Sequence, residues 1–322
     1  MATFSKSTFN ASKYAASRPH YPTALYSHVL AYAAVPRSSS PRTLVDIGCG
    51  PGLSTFSFAP HFDRVIGVDP SANMIDAANS ILHDHKRAGK IGDTEFVFAQ
   101  GRGDKLDKVK AIQAESVDLV VAGQAAHWFD PLPTYKSLAR VLKPGGSFCF
   151  WGYGEIFFPR RPELSALIPP YSGKLLGPYW EQPGRSIVEA LLVPFPLPLA
   201  DNFASNSEAT SICSAYDAST LQRTFHLDST VPTSPVLEPA EQSAGVKNSR
   251  HDLLLTKQLT LQGFEGYLRT WSSLHKYDEE HRGGTDVAKA LIERMKEAGW
   301  QEGEEVEAAW QVGMVMGKKS TS

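Results

Sequence analysis

Cysteine is scarce in this chain of 322 residues, and its spacing argues against a disulfide framework or a zinc site. Cys49, Cys149 and Cys213 form no CxxC pair, and an odd number of thiols cannot all pair with one another. We therefore expect reduced thiols in a cytoplasmic protein. The ten histidines are scattered without the acid–histidine spacing of a helical ligand set, so we predict no bound metal.

The chain also lacks an excess of charge and a long apolar run. Lysine and arginine number 32 against 34 acidic residues, so the net charge of −2 gives no electrostatic footprint for nucleic acid. Residues 1–19 are polar and carry no signal-peptide core. The apolar stretch 190–200 is broken by prolines and is too short to span a bilayer. We predict a monomer or homodimer without nucleic-acid or membrane partners.

What the chain does have is a series of short apolar segments that alternate with helical ones. Hydrophobic residues make up 42% of the sequence, which is enough for a substantial core. Apolar strands that alternate with helices predict an α/β fold with a parallel, doubly wound sheet. The predicted strands of this first part span residues 43–47, 64–68, 95–99, 117–122 and 147–151.

The composition changes after residue 153. Residues 158–198 are rich in proline and aromatic side chains, and residues 200–252 are polar with little periodicity. Further on, 221–227 and 306–316 are predicted strands, and 261–272 and 286–298 are predicted helices. We predict four regions: an N-terminal lid (1–40), a ligand-binding core (41–155), a partly irregular substrate cap (156–275), and a C-terminal helix and strand that complete the core (276–322).

A glycine-rich loop lies between the first predicted strand and the helix that follows it. Gly48, Gly50 and Gly52 allow a tight turn and a close approach of the backbone to a ligand at a helix N-terminus. The spacing is GxGxG, and Leu53 stands where a dinucleotide fingerprint would have its third glycine. The loop therefore predicts a ligand site that differs from a pyrophosphate-binding one.

Two acids refine the prediction for the ligand. Asp46 ends the strand before the loop, where it would repel a pyrophosphate but suits a cationic ligand such as S-adenosylmethionine, with its sulfonium and ammonium groups. Asp69 ends the second strand about 20 residues later, where Rossmann-like sites hold ribose hydroxyls. Met74 follows on the next helix and is predicted to lie against an adenine ring. The alternatives are a capping acid, a turn acid and a core methionine, respectively.

Three segments in order resemble class I methyltransferases. They are the loop Val45–Gly52, the strand Val65–Asp69 and the turn Arg140–Gly146. The resemblance implies a seven-stranded, mostly parallel Rossmann-like sheet with an inserted cap, and S-adenosylmethionine as cofactor.

A narrower set of segments resembles the fungal trans-aconitate methyltransferase group. The matching segments are Gln124–Asp130, Gly177–Trp180 and Tyr267–Ser272. This resemblance implies methylation of a small molecule, above all the carboxylate of a small organic acid. The polar stretch 202–250 departs from the group's pattern, and it leaves the identity of the substrate open.

The family resemblance also implies further cofactor-binding residues. Asp104 would accept a hydrogen bond from the exocyclic amine of adenine, and Gln124 would meet the methionine half of the cofactor. Tyr14 and Arg18 resemble an N-terminal lid element, Tyr-x-x-x-Arg-Pro-x-Tyr, which ends at Tyr21. Asp104 could instead be an exposed loop acid, and Arg18 a surface arginine.

The acceptor side is predicted from residues that follow the fourth strand. His127 and Trp128 would lie at the carboxyl edge of the sheet, where α/β proteins bind their ligands. His127 could act as a base, donate a hydrogen bond to a carboxylate, or be structural. A carboxylate acceptor is ionised at neutral pH and needs no base, whereas a phenol or alcohol usually does.

Aromatic residues and one arginine complete the predicted substrate site. Trp128, Trp151, Tyr153 and Trp271 would form its apolar wall, Tyr21 would contact the substrate, and Arg269 would clamp a substrate carboxylate. Core packing and a surface ion pair are the alternatives. Two other functions stay open at this point: methylation of a hydroxyl, amine or carbon atom with His127 as base, and a donor-binding regulatory module without catalysis.

Overall fold

A mixed sheet of nine strands dominates the part of the chain that the computed structural model describes, residues 17–36, 41–229, 231 and 246–321. The strands are β1 Thr43–Ile47, β2 Arg64–Asp69, β3 Glu95–Gln100, β4 Val117–Gly123, β5 Leu142–Phe157, β6 Gln222–Leu227, β7 Lys247–Asp252, β8 Leu255–Leu259 and β9 Val306–Lys318. Their order is β3-β2-β1-β4-β5-β9-β6-β7, and β8 pairs with β9 outside this path.

The first five strands form the parallel half of the sheet, as the sequence predicts. In the register, Val45 of β1 lies beside Ile66 of β2 on one side and Val120 of β4 on the other. Every residue of β1 is buried, as expected for a central strand covered on both faces. The strand order reverses between β1 and β4, so the carboxyl ends of these strands flank a crevice where α/β proteins bind ligands.

The long strand β9 joins the parallel half to the rest of the molecule. It runs antiparallel to β5, β6 and β8. Its first half pairs with β8, and its second half pairs with β6, so that Leu255 faces Trp310 and Thr224 faces Met314. The strand β6 lies within the predicted cap range 156–275, yet it belongs to this sheet. The division into four regions stays a prediction.

The predicted number of seven strands is wrong, because β7 and β8 add two more. The segment that forms β7 reads Lys-Asn-Ser-Arg-His-Asp, without the alternation of apolar residues on which a strand prediction depends. It lies at the edge of the sheet and is mostly exposed, so its backbone ladder with β6 forms without a buried face.

Nine α-helices lie within the described ranges of the chain. They are α1 Thr23–Ala33, α2 Ala72–Arg87, α3 Pro131–Val141, α4 Pro162–Ser165, α5 Gly184–Glu189, α6 Ala209–Cys213, α7 Leu261–Leu268, α8 Ser272–Glu280 and α9 Val287–Glu297. Short 3-10 helices span Thr55–His61, Gly103–Lys108, Ala126–Trp128, Gly177–Tyr179, Ala200–Phe203 and Ala218–Thr220, and a π turn spans Pro170–Leu175. Among the described residues, no helix is both long and apolar enough to cross a bilayer.

Two predicted helices have a different form. The segment after the glycine loop, which the sequence predicts as a helix, is a 3-10 helix, Thr55–His61, with Pro60 inside it. Pro60 lacks the backbone N–H that an α-helix continuing beyond Ala59 would need, so it disfavours an α-helical extension of this segment. The predicted helix 261–272 is divided into α7 and α8, and Trp271 at the break has an extended backbone.

Alternate residues of the central strands face two separate apolar cores. Leu44 and Trp151 belong to the core that also includes residues of α1 and α9, whereas Val45 and Phe150 belong to the core with residues of α3 and α6. This division follows from the period of two along a strand. The two cores hold the sheet rigidly, and its carboxyl edge presents the loops that form the candidate site.

Candidate functional site

Three clefts adjoin one another at the carboxyl edge of the parallel strands. The glycine-loop cleft is lined by Gly48, Gly50, Asp69, Met74, Asp104, Trp128 and neighbouring residues. The aromatic pocket is lined by Arg18, His127, Trp128, Tyr153, Trp180, Arg185, Trp271 and others, and the lid cleft by Arg18, Tyr21, Gly48, Tyr153 and others. Gln124 lines all three, so it marks their junction.

Gly48 shapes the wall of the glycine-loop cleft, which encloses about 870 Å³ including the open solvent at its mouth. Gly48 has a φ of +70°, and a Cβ added there would lie 2.4 Å from the Cβ of Ala125. Only glycine fits at this position, and it leaves the wall of the cleft to backbone atoms.

The two other loop glycines differ in their surroundings. Gly50 also has a positive φ, +54°, but a Cβ there would meet nothing within 4 Å. Gly52, with a φ of +86°, packs closely on Phe56, where a Cβ would lie 2.8 Å from the ring, and it does not line the three clefts. Gly52 therefore contributes to the conformation of the loop through its packing on Phe56, without lining a cleft.

Asp46 lies beneath the loop with no exposed surface. The hydroxyls of Ser54 and Thr55 donate to its Oδ2 at 2.9 Å and 2.7 Å, which ties the end of β1 to the start of the following 3-10 helix. Burial raises the pKa of Asp46 to about 6, and the carboxylate of Asp69 adds to the rise. Its Oδ1 has no hydrogen-bond partner among the described residues.

Asp69, Met74 and Asp104 line the glycine-loop cleft together, as the sequence predicts for one ligand site. The backbone N–H groups of Gly50 and Ser71 donate to the two carboxylate oxygens of Asp69 at 2.9 Å and 2.8 Å. Burial raises the pKa of Asp69. Asp104 is paired with Arg102 at 2.8 Å, and this hydrogen bond lowers the pKa of Asp104.

His127 and Trp128 lie side by side in the aromatic pocket, with ring centroids 4.8 Å apart. His127 is 9% exposed, and its Nδ1 has no partner among the described residues. Burial lowers the pKa of His127 to about 3, and the cations of Arg18 and Arg185 lower it further. The imidazole is therefore neutral over the whole physiological range of pH.

The aromatic pocket contains charged groups that the sequence analysis does not identify. The guanidinium of Arg185 stacks on Trp180, 4.1 Å from the ring centroid. It donates to Glu155 at 3.0 Å and to Glu189 at 2.6 Å. Ser172 also donates to Glu155. Trp180 stands in one of the family-like segments, but no motif includes Arg185, whose place depends on contacts distant in sequence.

Arg18 connects the lid segment to the aromatic pocket. Its Nη1 donates to the hydroxyl of Tyr153 at 2.9 Å, and its Nη2 donates to the carbonyl oxygen of Thr270 at 3.2 Å. The guanidinium also lies 5.5 Å from the ring centroid of Tyr267. Trp271 lines the same pocket and is 3% exposed. Arg18, a predicted cofactor-binding residue, thus lies beside Tyr153 and Trp271, which are predicted substrate-binding residues.

Other predicted site residues lie elsewhere. Trp151 has no exposed surface and packs under Gly123, so it supports the clefts without lining them. Tyr21 lines the lid cleft and meets Trp151 edge to face, with ring centroids 5.5 Å apart.

Arg269 lies outside the three clefts and pairs with Glu265 and Asp286, so the geometry does not support its predicted role as a clamp for a substrate carboxylate. Tyr14 lies outside the described residues.

Comparison with known proteins agrees with this geometry. Residues 45–150 match the family model of a methyltransferase domain. The chain is 25% identical to the probable S-adenosylmethionine-dependent methyltransferase CRG1 of Saccharomyces cerevisiae over 291 residues, which cover 90% of this chain and 88% of the relative. The chain is an S-adenosylmethionine-dependent methyltransferase. The predictions of a class I methyltransferase and of its cofactor are thereby confirmed.

Two further relatives match shorter parts of the enzyme. Methyltransferase cfoB of Aspergillus candidus is 28% identical over 190 residues, 55% of this chain and 57% of the relative. A malonyl-[acyl-carrier protein] O-methyltransferase of Brevibacillus brevis is 29% identical over 123 residues, 36% of this chain and 40% of the relative.

The fold matches a solved structure. A putative type II methyltransferase from Anaeromyxobacter dehalogenans superposes with a TM-score of 0.62 at 22% identity, over 95% of this chain and 99% of that one. The predicted α/β fold class is thereby confirmed. Within the described ranges, no group of three or more histidine, cysteine or acidic side chains is arranged to hold a metal ion.

Proposed function

We propose that this enzyme methylates the carboxylate of a small organic acid, of the trans-aconitate type. The observation that carries the proposal is the neutral His127 in a pocket that it shares with the guanidinium groups of Arg18 and Arg185 and that adjoins the glycine-loop cleft. A site with cations but without an effective base suits an acceptor that is already an anion. Arg18 and Arg185 are the groups that would hold it, and Arg185 would exchange its pairing with Glu155 or Glu189 for the acceptor carboxylate.

The glycine-loop cleft would hold the cofactor. Asp69 would accept hydrogen bonds from the ribose hydroxyls, Met74 would pack on the adenine, and Asp104 would accept from its amine. The amino-acid half would lie toward Gln124 and the lid cleft, where the backbone at Gly48 leaves no room for a side chain. Asp46 would favour the positive charge of the cofactor from beneath the loop.

The chemistry demands alignment more than proton transfer. The bound cofactor supplies a methyl group that is already activated by its sulfonium, so the enzyme mainly aligns the acceptor oxygen for in-line displacement. Trp128 lines both the glycine-loop cleft and the aromatic pocket, and it would form the wall beside the line of transfer. A carboxylate needs no deprotonation at neutral pH.

The charged neighbours and the relatives are consistent with this acceptor. Glu155 is already held by Arg185 and Ser172, and Glu181 is paired with Lys276 at 3.2 Å, so the pocket's acids are occupied. The name of one relative describes O-methylation of a malonyl group, whose free oxygens belong to a carboxylate. An imidazole with a pKa of about 3 is a weak base, which disfavours a phenol or amine acceptor.

A direct assay tests the acceptor class. The purified enzyme is incubated with S-adenosylmethionine labelled in its methyl group and a panel of mono-, di- and tricarboxylic acids, phenols and amines. We expect labelled product with at least one acid and turnover at least about tenfold lower with every phenol and amine. Turnover of a phenol or an amine without turnover of any acid would overturn the proposal.

A further inference from the structure

Gln124 leaves the sheet at the junction of the three clefts. Gly123 is the last residue of β4 in register with β5, where it lies beside Trp151. The next residue turns into the left-handed region, with a φ of +54°, which is uncommon for a residue other than glycine. The backbone N–H of Gln124 still donates to the carbonyl oxygen of Trp151 at 2.8 Å. The backbone of β4 then diverges from β5.

The side chain of Gln124 continues the pairing that its backbone has left. Its Nε2 donates to the carbonyl oxygen of Tyr153 at 3.2 Å, and the N–H of Tyr153 donates to its Oε1 at 2.8 Å. A primary amide offers one donor and one acceptor side by side, which is the pattern of a neighbouring strand. The amide thus takes the place of a strand residue opposite Tyr153.

The position of Tyr153 matters because its side chain reaches the aromatic pocket. Tyr153 is 3% exposed, and its hydroxyl accepts from Arg18 at 2.9 Å. Arg18 in turn donates to the carbonyl oxygen of Thr270, next to the pocket residue Trp271. A continuous series of hydrogen bonds therefore runs from Gln124 through Tyr153 and Arg18 to the far wall of the pocket.

We infer that Gln124 is a positioning residue for the methyl acceptor, because its amide fixes Tyr153, and through it Arg18, relative to the opening of the glycine-loop cleft. The predicted role of its side chain as a direct contact of the cofactor changes accordingly, since both polar atoms are engaged by Tyr153. This inference requires methyl transfer alone and does not depend on which acceptor class proves correct.

The substitution Gln124→Glu tests the inference through its response to pH. At pH 8 the ionised carboxylate can accept from the N–H of Tyr153 but cannot donate to its carbonyl oxygen. The loss of one hydrogen bond, with an acceptor left facing an acceptor, predicts a fall in kcat/KM for the methyl acceptor of roughly 10- to 100-fold. The dissociation constant of S-adenosylmethionine, measured by calorimetry, should change by less than about threefold.

Protonation should restore the variant. A protonated carboxyl group has one donor and one acceptor, as the amide has. The unperturbed pKa of a glutamic acid is about 4.3 and is raised by partial burial and by a hydrogen bond to the neutral form. The ratio of kcat/KM between Gln124→Glu and the wild type should therefore rise as the pH falls from about 7 to 5. Gln124→Met, with neither donor nor acceptor, should stay low throughout.

The assay uses trans-aconitate or, if that is not methylated, the compound of the panel that the wild type methylates fastest, so its outcome is separate from that of the proposed function. Thermal unfolding of each variant checks that it folds. A Gln124→Glu enzyme with full activity at pH 8, a ratio that does not vary with pH, or a loss of cofactor affinity equal to the loss of turnover would each overturn the inference. Should Gln124→Met fail to fold, the pH response of Gln124→Glu remains decisive.

Discussion

The glycine-loop cleft and the aromatic pocket share an edge of the sheet but are assembled differently. The cleft draws its lining from a few short segments, residues 48–50, 69–74, 101–104 and 124–134, each of which follows a strand of the parallel half. The pocket gathers residues 18, 124–128, 153–155, 180–188 and 267–272, which come from the lid, the sheet and the predicted cap. The glycine-loop cleft therefore depends on local motifs, and the aromatic pocket depends on the tertiary fold.

This difference indicates where the specificity for the methyl acceptor can change in such an enzyme. A cleft built on adjacent strand ends is fixed by the sheet itself, with Gly48 and Asp69 held by backbone contacts. A pocket built from distant segments can be altered by a substitution in any of them without disturbing the cleft. We therefore expect substitutions in the two regions to separate cofactor affinity from acceptor turnover.

The largest effect is expected from Gly48→Ala in the glycine-loop cleft. The added methyl group would lie 2.4 Å from the Cβ of Ala125 at a residue whose φ is +70°. The left-handed strain and the clash together cost roughly 3 kcal/mol in the native loop conformation. We expect the free variant to relieve them by a shift of the loop, which binding must reverse, so that the Kd of S-adenosylmethionine rises by about 100-fold. Calorimetric titration measures it.

Gly89→Ala is the matched control for Gly48→Ala. Gly89 has a φ of +64°, but a Cβ there would meet nothing within 4 Å, and the residue lies outside the three clefts. Its Kd should stay within about twofold of the wild type. Equal losses in the two variants would show that a tight contact at Gly48 does not shape the cleft.

A smaller effect, confined to the aromatic pocket, is expected from Arg185→Met. Removal of the guanidinium should lower kcat/KM for the acid acceptor by roughly 30- to 100-fold, because a buried charge-assisted contact is lost. The Kd of S-adenosylmethionine should change by less than about threefold. Steady-state kinetics with the acid identified in the panel, together with calorimetry, separate the two effects.

Arg269→Met serves as the comparison for Arg185→Met. Arg269 is partly exposed and is paired with Glu265 and Asp286 outside the pocket. We expect its kcat/KM to stay within about threefold of the wild type. A larger loss in Arg269→Met than in Arg185→Met would reverse the assignment and restore the role predicted from sequence.

Asp46→Asn should weaken the binding of S-adenosylmethionine by about tenfold, because the attraction between a buried carboxylate and the cationic cofactor is lost. The amide keeps the shape and the hydrogen bonds from Ser54 and Thr55 but removes the charge. Because the pKa of Asp46 is about 6, the charged form that favours a cationic cofactor prevails above that pH. The wild-type affinity should therefore fall as the pH drops through 6, and that of Asp46→Asn should not.

Calorimetry of both proteins at several pH values tests this. An Asp46→Asn enzyme that binds as tightly as the wild type at pH 8 would show that the carboxyl group stabilises the loop without favouring the charge of the cofactor.

The smallest effect is expected at His127. With a pKa of about 3, its imidazole is neutral at every pH from 5 upward, so it contributes no limb to the pH–rate profile of an acid acceptor. His127→Asn should reduce kcat by only about threefold, since asparagine can still donate a hydrogen bond. A loss of two or more orders of magnitude would instead identify a base and favour a hydroxyl or amine acceptor.

Four of the five parallel strands were predictable because each is a short apolar run closed by a turn, whereas β5 extends over Leu142–Phe157, well beyond the predicted 147–151. Thr43–Ile47 has the predicted bounds, and Arg64–Asp69 differs by one residue. The strand Lys247–Asp252 was not predictable, because its polar side chains carry no pattern and its pairing with β6 is a backbone property.

The site divides in the same way. Asp69 and Met74 were predictable from their positions after the second strand, and Asp104 from the family resemblance, and the three lie in one cleft. Arg185 and Arg269 could not be told apart in sequence, since both are arginines near a tryptophan and near acids. Only the tertiary contacts show that Arg185 stacks on Trp180 inside the pocket while Arg269 pairs with acids outside it.

The fate of the transferred methyl group tests the central claim most directly. The product formed from methyl-labelled S-adenosylmethionine and the preferred acceptor is treated with mild alkali, and the volatile label is collected. A methyl ester is hydrolysed under these conditions and releases labelled methanol, whereas methyl ethers and methylamines are stable. We predict that nearly all of the label becomes volatile, and label that stays with the acceptor would contradict carboxylate methylation.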